Sequence, residues 1–156
     1  HDERLWMFAH SATGLLRDYA SDGIKRVEGL MRKSHAKMLP YDSALGVLDL
    51  GKLRVLHGYH TGTAACRSHA NVYGNCLFGH VHSIEVAAVA SFQPAEARSI
   101  GCLCKRDMDY VAAKTGKLRW GHGWAAGILH GDGSYTLTQI RRINDTFTAP
   151  TAFKTY

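Results

Sequence analysis

Two stretches decide the fold: Leu53-Arg54-Val55-Leu56-His57-Gly58 and Asn75-Cys76-Leu77-Phe78-Gly79-His80-Val81-His82. Each is a short apolar run that ends in a histidine next to a glycine, the texture of a strand entering a tight loop. Between them Ala64, Ala65, Ser68, His69, Val72 and Tyr73 recur at helical spacing, and Gly74 stops the helix. A strand, helix, strand connection of this kind suits a parallel crossover, so the two runs are expected side by side in one sheet with their carboxyl ends together. Ligands of open α/β sheets bind just beyond those ends. His57, His80 and His82 are therefore expected to converge there.

Upstream, Leu5, Phe8, Ala9, Ala12, Leu15, Leu16 and Tyr19 form the stripe of an amphipathic helix that Gly23 is expected to end. Ile24, Val27, Leu30 and Met31 repeat the spacing in a second helix rich in Lys25, Arg26, Arg32, Lys33 and Lys37, which Pro40 terminates. Gly46-Val47-Leu48 reads as a strand. Downstream, Ile84 to Ser91 suits a buried strand, and Arg98 to Leu103 suits another that Gly101 weakens. Trp124 to His130 and Tyr135 to Ile143 flank Gly131-Asp132-Gly133-Ser134, a strong hairpin signal. Residues 1–156 are expected to form a single domain, with 144–156 fraying.

A chain of 156 residues with 46% hydrophobic and 21% charged side chains can bury a core, which excludes a disordered or collagen-like polymer. Lys plus Arg number 19 against 13 for Asp plus Glu, a net charge of +6 that favours polyanionic partners, although solvated basic helix faces explain it as well. No apolar run approaches the ~20 residues of a membrane-spanning helix, and the N-terminus has no basic-then-apolar layout. A cytoplasmic protein with no membrane partner is the expectation. Cys66, Cys76, Cys102 and Cys104 contain no C-x-x-C pair, so free structural thiols are expected, with Cys102 and Cys104 on one face of a strand.

Neutral imidazole is the commonest ligand for several transition metals, and three imidazoles at one sheet edge point to coordination more than to packing. In order along the chain, His1-Asp2-Glu3-Arg4-Leu5, then His57-Gly58 after a strand, then Gly79-His80-Val81-His82 resemble the later signature motifs of the calcineurin-like metallophosphoesterases. The opening is similar to the end of that family's G-N-H-[D/E] motif. Leu118-Arg119-Trp120-Gly121-His122-Gly123-Trp124 before a hairpin is similar to the strand-rich end of phage and prophage members. The resemblance spans most of residues 1–143.

That resemblance implies an α/β fold: the C-terminal part of an incomplete αββα sandwich, with a mixed sheet and a C-terminal β-hairpin. It implies two divalent metal ions (manganese, zinc, iron or nickel), with His57 and His80 on one and His82 on the other. His1, oriented by Asp2, would stabilise or protonate the leaving group. The substrate class it implies is a phosphoester: monoester, diester, nucleotide or DNA. The family's D-x-H and G-D-x-x-D motifs, with the bridging carboxylate, do not occur in the sequence. The chain is thus expected to be a fragment that binds metal weakly and hydrolyses little, the intact parent being the enzyme, because three neutral ligands balance two dications poorly. The rival reading is a nonenzymatic nucleic-acid-binding or scaffold module. His60 and His69 are candidates to hydrogen-bond ligands or phosphate, and His122 to line a groove; His10, His35 and His130 are expected to be structural or exposed.

Overall fold

Ser11 and Thr13, rather than Gly23, divide the N-terminal helices. Helix α1 spans Asp2–Ser11 and α2 spans Gly14–Lys33. The Ser11 hydroxyl turns back onto the Met7 and Phe8 carbonyls, and Thr13 is extended at φ −128°, ψ 161°, so the chain reverses there. Gly23 lies inside α2, where a β-carbon would make ordinary van der Waals contact with Leu5 Cδ2 of α1 at 3.4 Å. Ala9 and Ala20 are buried, whereas Leu15 and Tyr19, expected on the packed stripe, are 87% and 81% exposed. The second helix ends at Lys33, ahead of Pro40, with the Ser34 N–H and hydroxyl both donating to the Leu30 carbonyl.

The computed structural model describes residues 2–90, 92–105 and 118–148. It divides into two compact units, His1–Gly46 with these helices and Val47–Tyr156 with the remainder. The second unit contains β1 (Val47–Leu50), β2 (Leu53–Leu56), α3 (Ala65–Tyr73), β3 (Cys76–Phe78), β4 (Ile84–Val89), β5 (Ala95–Ile100), β6 (Gly123–Leu129), β7 (Tyr135–Ile143) and β8 (Thr146–Phe147). It is an α/β arrangement with a mixed five-stranded sheet in the order β1-β2-β3-β5-β4 and an antiparallel three-stranded sheet in the order β6-β7-β8.

The expected parallel crossover is present: β2, α3 and β3 follow in order, with Leu56 opposite Phe78. Parallel β5 continues the sheet, with Phe78 opposite Ser99, and the antiparallel strands β1 and β4 form its edges. Helix α3 buries Ala65, Cys66, His69, Ala70 and Tyr73. That face is turned from the expected stripe, since Val72 is exposed while Cys66 and Ala70 join Leu56, Cys76, Phe78 and Ala97 in the core. The Arg54 guanidinium fastens the helix end to the sheet, donating to the Tyr73 carbonyl at 2.7 Å.

Strand β5 begins and ends earlier than the sequence suggests, because Gly101 at φ +78° stops it: a β-carbon there would lie 2.4 Å from the Gly121 carbonyl oxygen. Cys102 and Cys104 consequently lie beyond the strand, and Cys102 bridges to His122. The β6–β7 hairpin turns at residues 130–134 as expected, and a second turn with positive φ at Asn144 and Asp145 adds β8 within the tail expected to fray. The hairpin is joined to the large sheet by Gln139, which donates to the Ser99 carbonyl, and by the Lys52 N–H, which donates to the Gly133 carbonyl at 2.8 Å.

Candidate metal centre

His57 follows directly on β2 and His80 follows one residue after Gly79 at the end of β3, so the parallel register sets them next to each other. The Gly79 N–H donates to the His57 carbonyl at 2.9 Å and carries the ladder one step past the strands. His57 Nε2 and His80 Nδ1 are 3.1 Å apart, with ring centroids at 5.1 Å and the rings edge to face. Two imidazole nitrogens bound to one ion at ~2.0–2.1 Å and roughly a right angle stand about 3 Å from each other. The pair is therefore spaced for a shared ion as well as for a hydrogen bond from one ring to the other.

The loop that follows is strained. His80 and His82 have φ of +61° and +59°, the left-handed region that non-glycine residues seldom occupy. Between them the Val81 N–H closes a tight turn on the Gly79 carbonyl at 2.7 Å. Two successive left-handed histidines bend the backbone so that His82 leaves the His57–His80 pair and meets a different set of groups. Its Nδ1 is 4.0 Å from Cys104 Sγ, and its ring lies edge-on to Trp120 at 4.4 Å. Burial pushes the His82 pKa down, with His80 and His57 adding to the effect, so the ring is neutral at neutral pH and suited to ligation.

His82, Cys102 and Cys104 each offer a donor atom, and these atoms lie within 4.8 Å of one another. The sequence alone points to the two cysteines as packing groups, because their place beside His82 depends on the stop at Gly101. The spacing of two residues, which keeps both thiols on one side, was the available signal.

His69 has a different role from the one expected. It is fully buried, its Nδ1–H donates to the Ala65 carbonyl at 2.8 Å, and its Nε2 accepts from the Tyr59 N–H at 2.9 Å. The ring also stacks on Phe78 with centroids 3.8 Å apart. Both nitrogens thus serve the backbone, and His69 holds the loop after His57 in place without reaching a ligand. His60 lies edge-on to His69 at 4.8 Å. His122 is a clamp, its Nε2–H donating to the Cys104 carbonyl at 2.9 Å and its Nδ1 accepting from Arg142 at 3.1 Å. His10, His35 and His130 are exposed. His1 and the side chain of Asp2 lie outside the described residues.

Among the described residues no helix is long and apolar enough to cross a membrane. No family model, curated protein or solved structure gives a significant match to the chain.

Proposed function

We propose that this chain carries the histidine half of a two-metal phosphoesterase centre, with the carboxylate ligands supplied by another polypeptide segment. The observation that supports this most directly is the 3.1 Å approach of His57 Nε2 to His80 Nδ1 at the carboxyl ends of two adjacent parallel strands. The reading rests also on the order of the His-Asp, His-Gly and Gly-His-x-His segments. His57 and His80 would hold one ion and His82 the second. When bound, such a pair supplies a hydroxide nucleophile near neutral pH and charge neutralisation for the phosphoryl oxygens.

The remaining contributions belong to the chain. His69 fixes the backbone after His57, and the left-handed turns at His80 and His82 bend the loop that carries both rings. His1 would donate a proton to the leaving oxygen, with Asp2 keeping that ring charged. The substrate class is a phosphomonoester, a phosphodiester or a nucleic acid.

Manganese-dependent hydrolysis of a chromogenic phosphodiester, by protein supplemented with the segment that brings the carboxylates, tests the reading. His80→Ala should reduce turnover by at least ~100-fold, since even residues supporting a metal ligand cost 10–100-fold. No turnover with manganese, zinc or nickel in folded protein would reject it. A second reading, a nucleic-acid-binding module, is favoured by the exposed Lys25, Arg26, Arg32 and Lys33 of α2. It calls for DNA binding that weakens steeply with salt and ignores chelator.

A further inference from the structure

His82, Cys102 and Cys104 are the one grouping of three or more His, Cys, Asp or Glu among the described residues whose donor atoms lie within 4.8 Å of one another. We infer that these three residues form a two-sulfur, one-nitrogen site for zinc, with a fourth position left to an exogenous ligand. This deepens the phosphoesterase reading in one respect, the ligands and identity of the ion on His82. Its readout is separate from turnover.

The distances fit. Around a tetrahedral zinc with Zn–S of ~2.3 Å and Zn–N of ~2.0–2.1 Å, sulfur and nitrogen stand about 3.6 Å apart. His82 Nδ1 and Cys104 Sγ are 4.0 Å apart, so a small side-chain rotation closes the gap.

The backbone is built for it. One short segment, Trp120–Gly123, ties down all three ligands: the Gly121 N–H donates to the His82 carbonyl at 2.9 Å, the Cys102 N–H donates to the Gly121 carbonyl at 3.0 Å, and the His122 ring donates to the Cys104 carbonyl at 2.9 Å. The Gly123 N–H returns to the Cys102 carbonyl at 3.2 Å, and Arg142 holds His122 from behind. Trp120 packs edge to face with the His82 ring at 4.4 Å. Ligands from two separate loops are thus held together before any ion arrives, which lowers the ordering cost of binding. These bonds fix the backbone from which each of the three ligand side chains projects.

The chemistry selects the ion. Thiolates favour zinc and other soft or borderline ions over manganese, magnesium and calcium, which prefer carboxylate and carbonyl oxygen. Binding converts two thiols to thiolates and releases two protons, so the two sulfur charges balance one dication. Three protein ligands with an open fourth position is the pattern of zinc sites that accept water or substrate.

Cobalt(II) titration of the chain reads the site directly, because sulfur ligation produces a near-ultraviolet thiolate-to-cobalt charge-transfer band. The expected result is a band that zinc removes and manganese does not. It should fall by about half in Cys102→Ser or Cys104→Ser, vanish in the double variant and persist in His57→Ala. Zinc-edge X-ray absorption of the unsubstituted chain should count two sulfurs at ~2.3 Å, a readout that needs no variant to fold. A zinc shell of nitrogen and oxygen alone, or a band that survives loss of both cysteines, overturns the inference. Two sulfurs on zinc without phosphoesterase turnover retains this site and removes the activity; turnover with a sulfur-free shell does the reverse.

Discussion

Gly58 has φ +111°, and a β-carbon on it would lie 2.9 Å from Phe78 Cδ2 and 3.0 Å from His80 Cβ. Gly58→Ala should therefore cost about 1–3 kcal/mol and displace His80, read as a lower urea midpoint together with weaker metal binding. His69 offers a different test. Burial above all holds its pKa below 6.5, with the charges of His60 and His80 adding and the Ala65 carbonyl opposing. As pH falls through 6.5 the unfolded ring gains a proton while the folded ring stays neutral, so the unfolded state binds more protons. This part of the stability is complete above 6.5, declines as pH drops and levels off below the depressed folded pKa. Urea midpoints measured across that range should fall more in the natural chain than in His69→Gln. At this scale the sequence located His57 and His80 well, because a residue at a strand end has a fixed destination. It could not show that His69 serves the Ala65 carbonyl and the Tyr59 N–H rather than a ligand, because those backbone partners are set by the fold and leave no mark in the sequence.

Helix α3 and the strands on either side were readable because spacing, Gly74 and the apolar runs agree. The N-terminal helices were not: Gly23 looks like a breaker, yet α2 runs through it, since one glycine inside a helix costs only about 1 kcal/mol against alanine. The end of β5 is the other instructive element. In the sequence Gly101 is a weakness within a strand, whereas in the structure it ends the strand and leaves Cys102 and Cys104 beside His82. A methyl group there would meet the Gly121 carbonyl at 2.4 Å and Ile84 Cγ1 at 2.7 Å. Gly101→Ala is expected to lower stability by roughly 1–3 kcal/mol or more and to weaken the cobalt charge-transfer band, since Gly121 anchors two of the three ligands. Chemical denaturation and cobalt titration on the same preparation measure both effects.

Every member of the principal core cluster, from Leu56 to Ala97, belongs to the Val47–Tyr156 unit, as do His57, His80, His82 and both metal-site cysteines. That unit expressed alone should unfold cooperatively and retain the cobalt band, while the cationic α2 leaves with the helical unit and takes any salt-dependent affinity for DNA with it. A calorimetric transition lost on removing residues 1–46 would contradict this. The strand order carries a consequence for synthesis. Although β4 precedes β5 in the chain, it lies outside it, so the sheet cannot assemble in the order in which it is made. A nascent chain that has reached Val89 presents an open edge on β3, and this edge closes only when the β4–β5 hairpin slips into place through β5. Residues 79–83 span the gap between β3 and that late-arriving hairpin. The loop is made before Cys102, Cys104 and the 120–123 segment that its His82 meets, so that cluster forms only once the later half of the unit has left the ribosome.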